Sequence, residues 1–262
     1  MVLLDQKLFE PDSNEYTNEN DYDVSPQNLF VESDNRVKLH AWLFRSPHQA
    51  KGLVVQAHGN AENLTSHACY ASWLTAIGLD VLCWDYRGYG KSTGVPSMQG
   101  VVNDATAILK FSQSLLRGGT KILLGQSVGA GIALNALSRV PDFQPSLVVL
   151  DGAFANHRSL VKHRIQNQFG NKLLGIAVSA LFSGDLNAED AIDAVRCPLL
   201  SIHSHADSII PIEEHQRLFA RAVTNQKTFW ESQTQKHLDT FRDDSSPFRK
   251  QLSEYLKEKI FP

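Results

Sequence analysis

The first candidate for a catalytic residue is a serine that lies between two glycines. The segment reads Gly125-x-Ser127-x-Gly129 and follows a short apolar run. A serine on a strained turn between a strand and a helix needs neighbours without side chains two positions away on either side, because the two elements approach closely there. The spacing does not match the G-x-G-x-x-G of dinucleotide-binding turns, and no lysine follows as in phosphate-binding loops. The pattern favours Ser127 as a nucleophile, with a tight corner and a capping serine as the alternative.

A serine hydroxyl becomes nucleophilic only when a base accepts its proton and an acid orients that base. After such a turn the partners follow in the order acid, then histidine, each on a loop behind a later strand. Asp207 and His237 each follow an apolar run in the second half of the chain, and His237 is the only histidine after the last of these runs. The sequence therefore predicts a Ser127–His237–Asp207 triad. Asp151, which closes an earlier apolar run, stays open as the alternative acid.

Acyl transfer also needs two N–H donors for the oxyanion of its tetrahedral intermediate. Val128 would supply one amide, because it begins the helix after the serine, where the helix dipole adds to the N–H. The second donor usually belongs to the loop after the third strand, and the amide of Asn60 is the natural candidate there. We expect His58, in the same loop, to hold the loop in place.

Two readings from other classes stay open. His203, His205 and Asp207 alternate along the chain, so on a continuous strand they would point to one face and could hold zinc with an open position. The protein would then be a metal-dependent hydrolase. Alternatively, a non-catalytic binding module could have kept the fold. Because serine, histidine and aspartate suffice for the predicted chemistry, we expect no metal and no cofactor.

The elements that must position these residues follow a regular rhythm. Helix-like segments separate short runs that are apolar at nearly every position, which is typical of parallel strands covered on both faces. Before the first of these runs, a segment that alternates between apolar and polar residues on either side of Asp34 and Asn35 predicts a β-hairpin. The runs lie at 52–57, 79–85, 121–125, 147–151, 198–203 and 227–231, and the helices at 63–77, 100–117, 128–139, 212–223 and 245–260. This order predicts an α/β fold with a mostly parallel sheet, helices on both faces and an N-terminal antiparallel hairpin.

Two segments stand outside this rhythm. Residues 1–26 carry seven acids and one lysine, a net charge of −6, and are predicted to form an acidic N-terminal arm. The rest, 27–262, is predicted to be one domain. Residues 152–196 hold helical patterns and no strand, which indicates a short helical cap insertion. Its basic part, with Arg158, Lys162 and Arg164, is interpreted as a solvated helix face. Its apolar part packs the cap or forms an acyl pocket, with these residues: Leu173, Leu174, Ile176, Val178, Leu181 and Phe182.

The segments H-G-N-A-E-N, D-Y-R-G-Y-G-K-S-T-G, G-Q-S-V-G-A-G, H-A-D-S-I-I-P and K-H-L-D follow one another in this order. With them the chain resembles the α/β-hydrolase superfamily, and within it a lineage with an H-G-N loop that includes bacterial hydrolases and eukaryotic α/β-hydrolase-domain proteins. The resemblance implies the triad and oxyanion roles given above. It also implies a serine hydrolase, for which we expect carboxylic esters with a small or medium acyl chain. Thioesters and peptides remain alternative substrates. Ser204 departs from the glycine that is usual at its position.

Composition sets the broad class. The chain has 262 residues, a net charge of −3 and 42% hydrophobic residues, which suits one large globular domain and gives no general attraction for nucleic acid. The three cysteines are widely spaced in apolar sequence, which favours buried thiols in a reducing compartment. No apolar run reaches the ~20 residues that a membrane-spanning helix needs. We therefore predict a cytoplasmic protein acting on a small-molecule ester or acyl substrate, with no transmembrane segment.

Overall fold

Eight strands form one sheet in the computed structural model of the protein, which describes residues 8–170, 172–181 and 186–261, without the side chains of 167–169. The sheet order is β1-β2-β4-β3-β5-β6-β7-β8. Strands β1 and β2 form the predicted antiparallel hairpin, β2 also runs antiparallel to β4, and all the other pairs are parallel. The strands are β1 (Gln27–Glu32), β2 (Lys38–Phe44), β3 (Gly52–Ala57), β4 (Leu79–Trp84), β5 (Thr120–Gln126), β6 (Leu147–Asp151), β7 (Leu199–Ser204) and β8 (Lys227–Ser232).

Helices cover both faces of this sheet, because the inner strands alternate between two apolar cores. On β3, for example, Leu53 and Val55 face one core and Val54 faces the other. The predicted α/β fold is therefore confirmed. The helices are α1 (Leu64–His67), α2 (Met98–Ser112), α3 (Val128–Leu137), α4 (His157–Phe169), α5 (Lys172–Ser179), α6 (Ala188–Ala191), α7 (Ile212–Arg221) and α8 (Pro247–Lys259).

One predicted helix, residues 63–77, differs in detail. Asn63 caps a single α-helical turn through its side chain, and two 3-10 segments follow at Ala68–Tyr70 and Ser72–Ile77. The backbone of Ala71 (φ −127°, ψ −26°) separates those two segments. Side chains on every side of this stretch are buried, so tertiary packing rather than helix propensity decides its path.

From residue 8 on, the N-terminal arm lies against the domain as irregular chain with a 3-10 turn at Glu19–Asp21. Within its described part, Phe9 is only 5% exposed and belongs to the larger core. The carbonyl of Asp12 accepts hydrogen bonds from the Gly90 amide (2.8 Å) and from the Asn63 side chain (3.1 Å). The arm is therefore ordered by contacts with two loops that follow β3 and β4.

Between β6 and β7, helices α4 and α5 pack against each other as a hairpin, called here the α4–α5 hairpin (residues 152–181). A Cβ added to Gly175 would lie 2.9 Å from the Lys162 carbonyl oxygen, so this contact needs a small residue. With Gly175 and Ser179 buried against α4, the large apolar side chains of α5 turn outward, and Leu173 is 78% exposed. These outward side chains therefore neither pack the cap onto the domain nor enclose an acyl pocket, the two roles predicted for the apolar part of the insertion. Phe182 lies outside the described residues.

Arg158, Lys162 and Arg164 of the α4–α5 hairpin are exposed, in line with a helix face in solvent. Among the described residues, no helix combines the length and the apolar character that crossing a membrane requires.

Candidate active site

Ser127 lies at the turn between β5 and α3 in a backbone conformation (φ 53°, ψ −122°) that residues with side chains rarely adopt. Its two flanking glycines are required by the close approach of the elements. A Cβ at Gly125 would lie 2.6 Å from the Ala130 Cα, and one at Gly129 would lie 2.2 Å from the Ala57 carbonyl oxygen. The turn thus holds the serine side chain away from both the strand and the helix, where a neighbouring loop can reach it.

A series of hydrogen bonds joins the serine to the two partners named by the sequence. The Ser127 Oγ lies 3.0 Å from His237 Nε2, and His237 Nδ1 lies 2.6 Å from Asp207 Oδ2. Asp207 follows β7 and His237 follows β8, so both come from loops at the carboxyl end of the sheet. The His237 side chain is 12% exposed and that of Asp207 is 2% exposed. The sequence-predicted residues are therefore brought together in the order serine, histidine, aspartate.

The turn after β7 fixes Asp207 as a carboxylate. Its Oδ1 accepts hydrogen bonds from the amides of Ile209 (2.8 Å) and Ile210 (3.0 Å), which leaves Oδ2 for His237. Burial raises the pKa of this carboxyl, but the hydrogen bond and charge of His237 and the two amides outweigh burial, so its pKa lies below the ordinary value. Ser204 contributes to the turn, since its hydroxyl accepts from the Ala206 amide (3.1 Å).

The alternative acid, Asp151, is the last residue of β6 and makes hydrogen bonds with other partners. Its Oδ2 accepts from Gln126 Nε2 (3.2 Å), and its Oδ1 accepts from Thr240 Oγ1 (3.1 Å). Complete burial raises its pKa to about 6, although these two hydrogen bonds and the charge of His237 lower it in part. Asp151 therefore links the serine strand to the histidine loop, while Asp207 is the carboxylate hydrogen-bonded to His237.

The two predicted amide donors lie on adjoining segments. Val128 is the first residue of α3, so its N–H has no carbonyl partner within the helix. The first turn of α3 packs on the backbone of residues 57 and 58, as the glycine contact at position 129 shows. Asn60 follows two residues later, and the Tyr89 hydroxyl donates to its carbonyl oxygen (2.8 Å). This hydroxyl also accepts from the Glu10 amide of the N-terminal arm (3.0 Å).

Sequence reasoning missed the side chains that hold this loop. Tyr86 donates to the His58 carbonyl oxygen (2.6 Å), and Asp85 accepts from the Leu64 amide (2.7 Å). The His58 Nε2 lies 3.5 Å from Asp85 Oδ1, which agrees with the expectation that His58 holds the loop. Asp85, Tyr86 and Tyr89 all belong to the D-Y-R-G-Y-G segment, so the signal was present, but their targets lie about 20 to 30 residues earlier in the chain.

The three residues of the zinc alternative do not meet at one point: His203 Nε2 lies 3.6 Å from Asp207 Oδ2, but His205 points elsewhere. Strand β7 ends at Ser204, so the alternation that would align His205 and Asp207 with His203 stops before them. His203 Nε2 lies 3.0 Å from the Ile210 carbonyl oxygen, while His205 turns to the exposed Glu231 (3.3 Å). Across the part of the chain that the structure describes, no group of three or more histidine, cysteine or acidic side chains is arranged to hold a metal ion.

Comparison with known proteins gives a consistent family. The family model described as "Serine aminopeptidase, S33" matches residues 48–182, which include the Asn60 loop and Ser127. The uncharacterized protein YfhR of Escherichia coli K12 is 26% identical over 265 residues, covering 98% of this chain and 86% of that protein. Lysophosphatidylserine lipase ABHD12 of Danio rerio is 25% identical over 191 residues, covering 70% of this chain and 50% of that protein.

Solved structures share the fold. The Pyrococcus furiosus esterase Pf2001 superposes with a TM-score of 0.77 at 22% identity, covering 97% of this chain and 98% of that chain. Est1E from Butyrivibrio proteoclasticus, solved with ferulic acid bound, has a TM-score of 0.68 at 16% identity, covering 88% of this chain and 99% of that chain. With the family model covering just over half of its length, the chain belongs to the serine aminopeptidase S33 family of the α/β-hydrolase superfamily.

Proposed function

We propose that the protein is a serine hydrolase that cleaves carboxylic esters through an acyl-enzyme on Ser127. The observation that supports this most is the hydrogen-bonded series from the Ser127 hydroxyl through His237 to Asp207, with distances of 3.0 and 2.6 Å. Such a series lets a weakly acidic hydroxyl attack a carbonyl carbon at neutral pH. The proposed reaction requires no metal and no cofactor.

In the first half-reaction, His237 Nε2 accepts the proton of the Ser127 hydroxyl as its oxygen attacks the ester carbonyl. Asp207 holds the imidazole through Nδ1 and stabilises the positive charge that the ring acquires. The tetrahedral intermediate then collapses, and His237 gives the proton to the leaving alcohol. In the second half-reaction water takes the place of the serine, and the same proton transfers release the acid.

The negative oxygen of the intermediate is proposed to be bound by the amides of Asn60 and Val128. Two features support these donors. The Val128 N–H lies at the amino end of α3, where the helix dipole favours negative charge. The Tyr89 hydroxyl donates to the Asn60 carbonyl oxygen (2.8 Å), which limits the freedom of the loop. Losing one such donor typically costs ~10²–10³ in turnover.

The proposed substrate class is a carboxylic ester with a small or medium acyl chain. The solved structures of similar fold include proteins named as esterases, and a curated relative is named as a lysophosphatidylserine lipase. These names support ester chemistry over other acyl transfer. The family description, serine aminopeptidase, gives peptide hydrolysis a specific observation in its favour, so it is the second candidate.

A substrate panel tests the proposal. The purified wild type is assayed with p-nitrophenyl esters of increasing acyl length, a matched thioester and aminoacyl p-nitroanilides. We expect ester turnover to exceed anilide turnover, and Ser127→Ala to abolish it.

If anilides were turned over faster than esters, the proposed activity would be that of an aminopeptidase instead of an esterase. Equal ester turnover in the wild type and in Ser127→Ala would refute the nucleophile. A folded wild type inert to every substrate would favour the non-catalytic reading.

A further inference from the structure

The α4–α5 hairpin differs in charge from the rest of the protein. Residues 152–181 contain four basic side chains, Arg158, Lys162, Arg164 and Lys172, and no aspartate or glutamate, whereas the whole chain has a net charge of −3. All four basic residues are exposed. The hairpin is therefore a positively charged surface on a weakly acidic protein.

The same hairpin carries a group of large apolar side chains that are exposed to solvent. Leu173 is 78% exposed, Leu174 41%, Ile176 50% and Leu181 52%. Gly175 and Ser179 are the residues of α5 that face α4, which leaves one continuous apolar face on the outside of the helix. Leaving large apolar side chains in contact with water is unfavourable. A group of them on one exposed face therefore indicates an interaction surface.

The basic and apolar groups belong to one surface. Lys162 lies against Gly175 on the inner side of α5, with its Cγ 3.5 Å from the position of a Cβ on that glycine, and Lys172 stands four positions before Ile176, on the same side of α5 as the apolar face. Lys172 directly precedes Leu173. An apolar face flanked by lysine and arginine is the arrangement that binds the boundary between the headgroups and the acyl chains of an anionic bilayer.

A second copy of the chain suits this surface less well. A twofold contact through the α4–α5 hairpin would bring four basic side chains of each copy together, with no acid in either hairpin to neutralise them. Anionic lipid, in contrast, supplies both an apolar phase for the leucines and negative charge for the basic residues.

We propose that the α4–α5 hairpin docks the protein on the surface of an anionic lipid bilayer. The leucine and isoleucine side chains of α5 enter the headgroup boundary, and the lysine and arginine side chains lie among the lipid phosphates. The hairpin starts at Gly152, and a Cβ there would lie 3.1 Å from the His237 ring, so the docked segment is joined directly to the candidate active site. This proposal concerns binding alone and does not depend on the esterase assignment.

Co-sedimentation with vesicles tests the proposal. The full chain is mixed with vesicles of equal parts phosphatidylglycerol and phosphatidylcholine, or of phosphatidylcholine alone, at low salt. We expect binding to the anionic vesicles that high salt weakens. Each basic side chain near such a surface strengthens binding about fivefold, so Lys162→Gln with Lys172→Gln should weaken it roughly 30-fold. Leu173→Gln with Ile176→Gln should weaken it roughly tenfold or more.

Matched controls separate this surface from general effects. Lys257→Gln with Lys259→Gln removes two exposed charges from α8, and Val95→Gln removes an exposed apolar side chain elsewhere (67% exposed). These variants should bind anionic vesicles almost like the wild type. Circular dichroism and thermal melting verify that every variant is folded.

Absence of vesicle binding by the folded wild type would overturn the proposal, as would equal loss in the α8 control. A wild-type dimer that Leu173→Gln with Ile176→Gln dissociates, without vesicle binding, would also overturn it and make the face a contact between copies. Because binding is read without turnover, a protein that binds vesicles but hydrolyses no ester would refute only the proposed esterase function.

Discussion

Replacing each of the two candidate acids, Asp207 and Asp151, by asparagine distinguishes their roles. Asp207 Oδ2 lies 2.6 Å from His237 Nδ1, and its Oδ1 is held by two amides, so the carboxylate fixes both the orientation and the protonated nitrogen of the ring. An asparagine there can present an N–H to the same nitrogen and favour the wrong tautomer. For such a change the expected loss in kcat is about 10⁴-fold.

Asp151→Asn should cost far less. Asp151 makes its hydrogen bonds with Gln126 and Thr240 and acts on His237 through charge alone, without a hydrogen bond. We expect at most about a tenfold loss in kcat, equivalent to ~1.4 kcal/mol in the barrier.

The assay is ester turnover by both variants at several pH values, with circular dichroism to verify folding. A large loss in Asp151→Asn together with near-normal turnover in Asp207→Asn would refute the assignment of the acid. Comparable losses of about 10⁴-fold in both variants would show that the two carboxylates act together, which also contradicts the reasoning.

Three further predictions concern the surroundings of the triad. Tyr89→Phe removes the hydroxyl that holds the Asn60 carbonyl, so kcat should fall roughly tenfold with KM nearly unchanged, whereas an unchanged kcat would contradict a positioning role. Gly129→Ala should prevent stable folding because its Cβ would lie 2.2 Å from a carbonyl oxygen, while Gly131→Ala, with its nearest neighbour at 3.7 Å, should melt like the wild type. Burial raises the pKa of Asp151 from 3.8 to about 6, so the stability of the wild type relative to Asp151→Asn in urea titrations should fall by roughly 3 kcal/mol as pH rises from about 3 to 7, and a constant difference would contradict this shift.

Much of the fold was predictable because the central strands are buried on both faces. Predicted runs such as 52–57 and 147–151 coincide with β3 and β6, since parallel strands under two helical layers must be apolar at nearly every position. The turn at Ser127 was predictable because the close approach of strand and helix imposes glycine at fixed positions on either side of it, whichever residue makes the contact: Ala130 for Gly125 and the distant Ala57 for Gly129.

Features set by long-range contacts could not be predicted. The Tyr89 hydroxyl joins Glu10 to Asn60, across 79 and 29 positions of the chain, and no local pattern specifies either partner. Leu173 points outward because Gly175 packs against Lys162. The apolar residues of α5 alone therefore could not show whether this helix lines a pocket or forms an outer surface. Likewise, the H-x-H-x-D pattern suggested one face only while β7 was taken to continue beyond Ser204.

The central claim is that Ser127 is activated by His237, and covalent labelling tests it most directly. A fluorophosphonate probe is added to the wild type, Ser127→Ala and His237→Ala, and the modified residue is located by mass spectrometry of the digested protein. The account predicts one label on Ser127 in the wild type and none in either variant. A folded wild type that stays unlabelled, or one labelled at another residue, would contradict it.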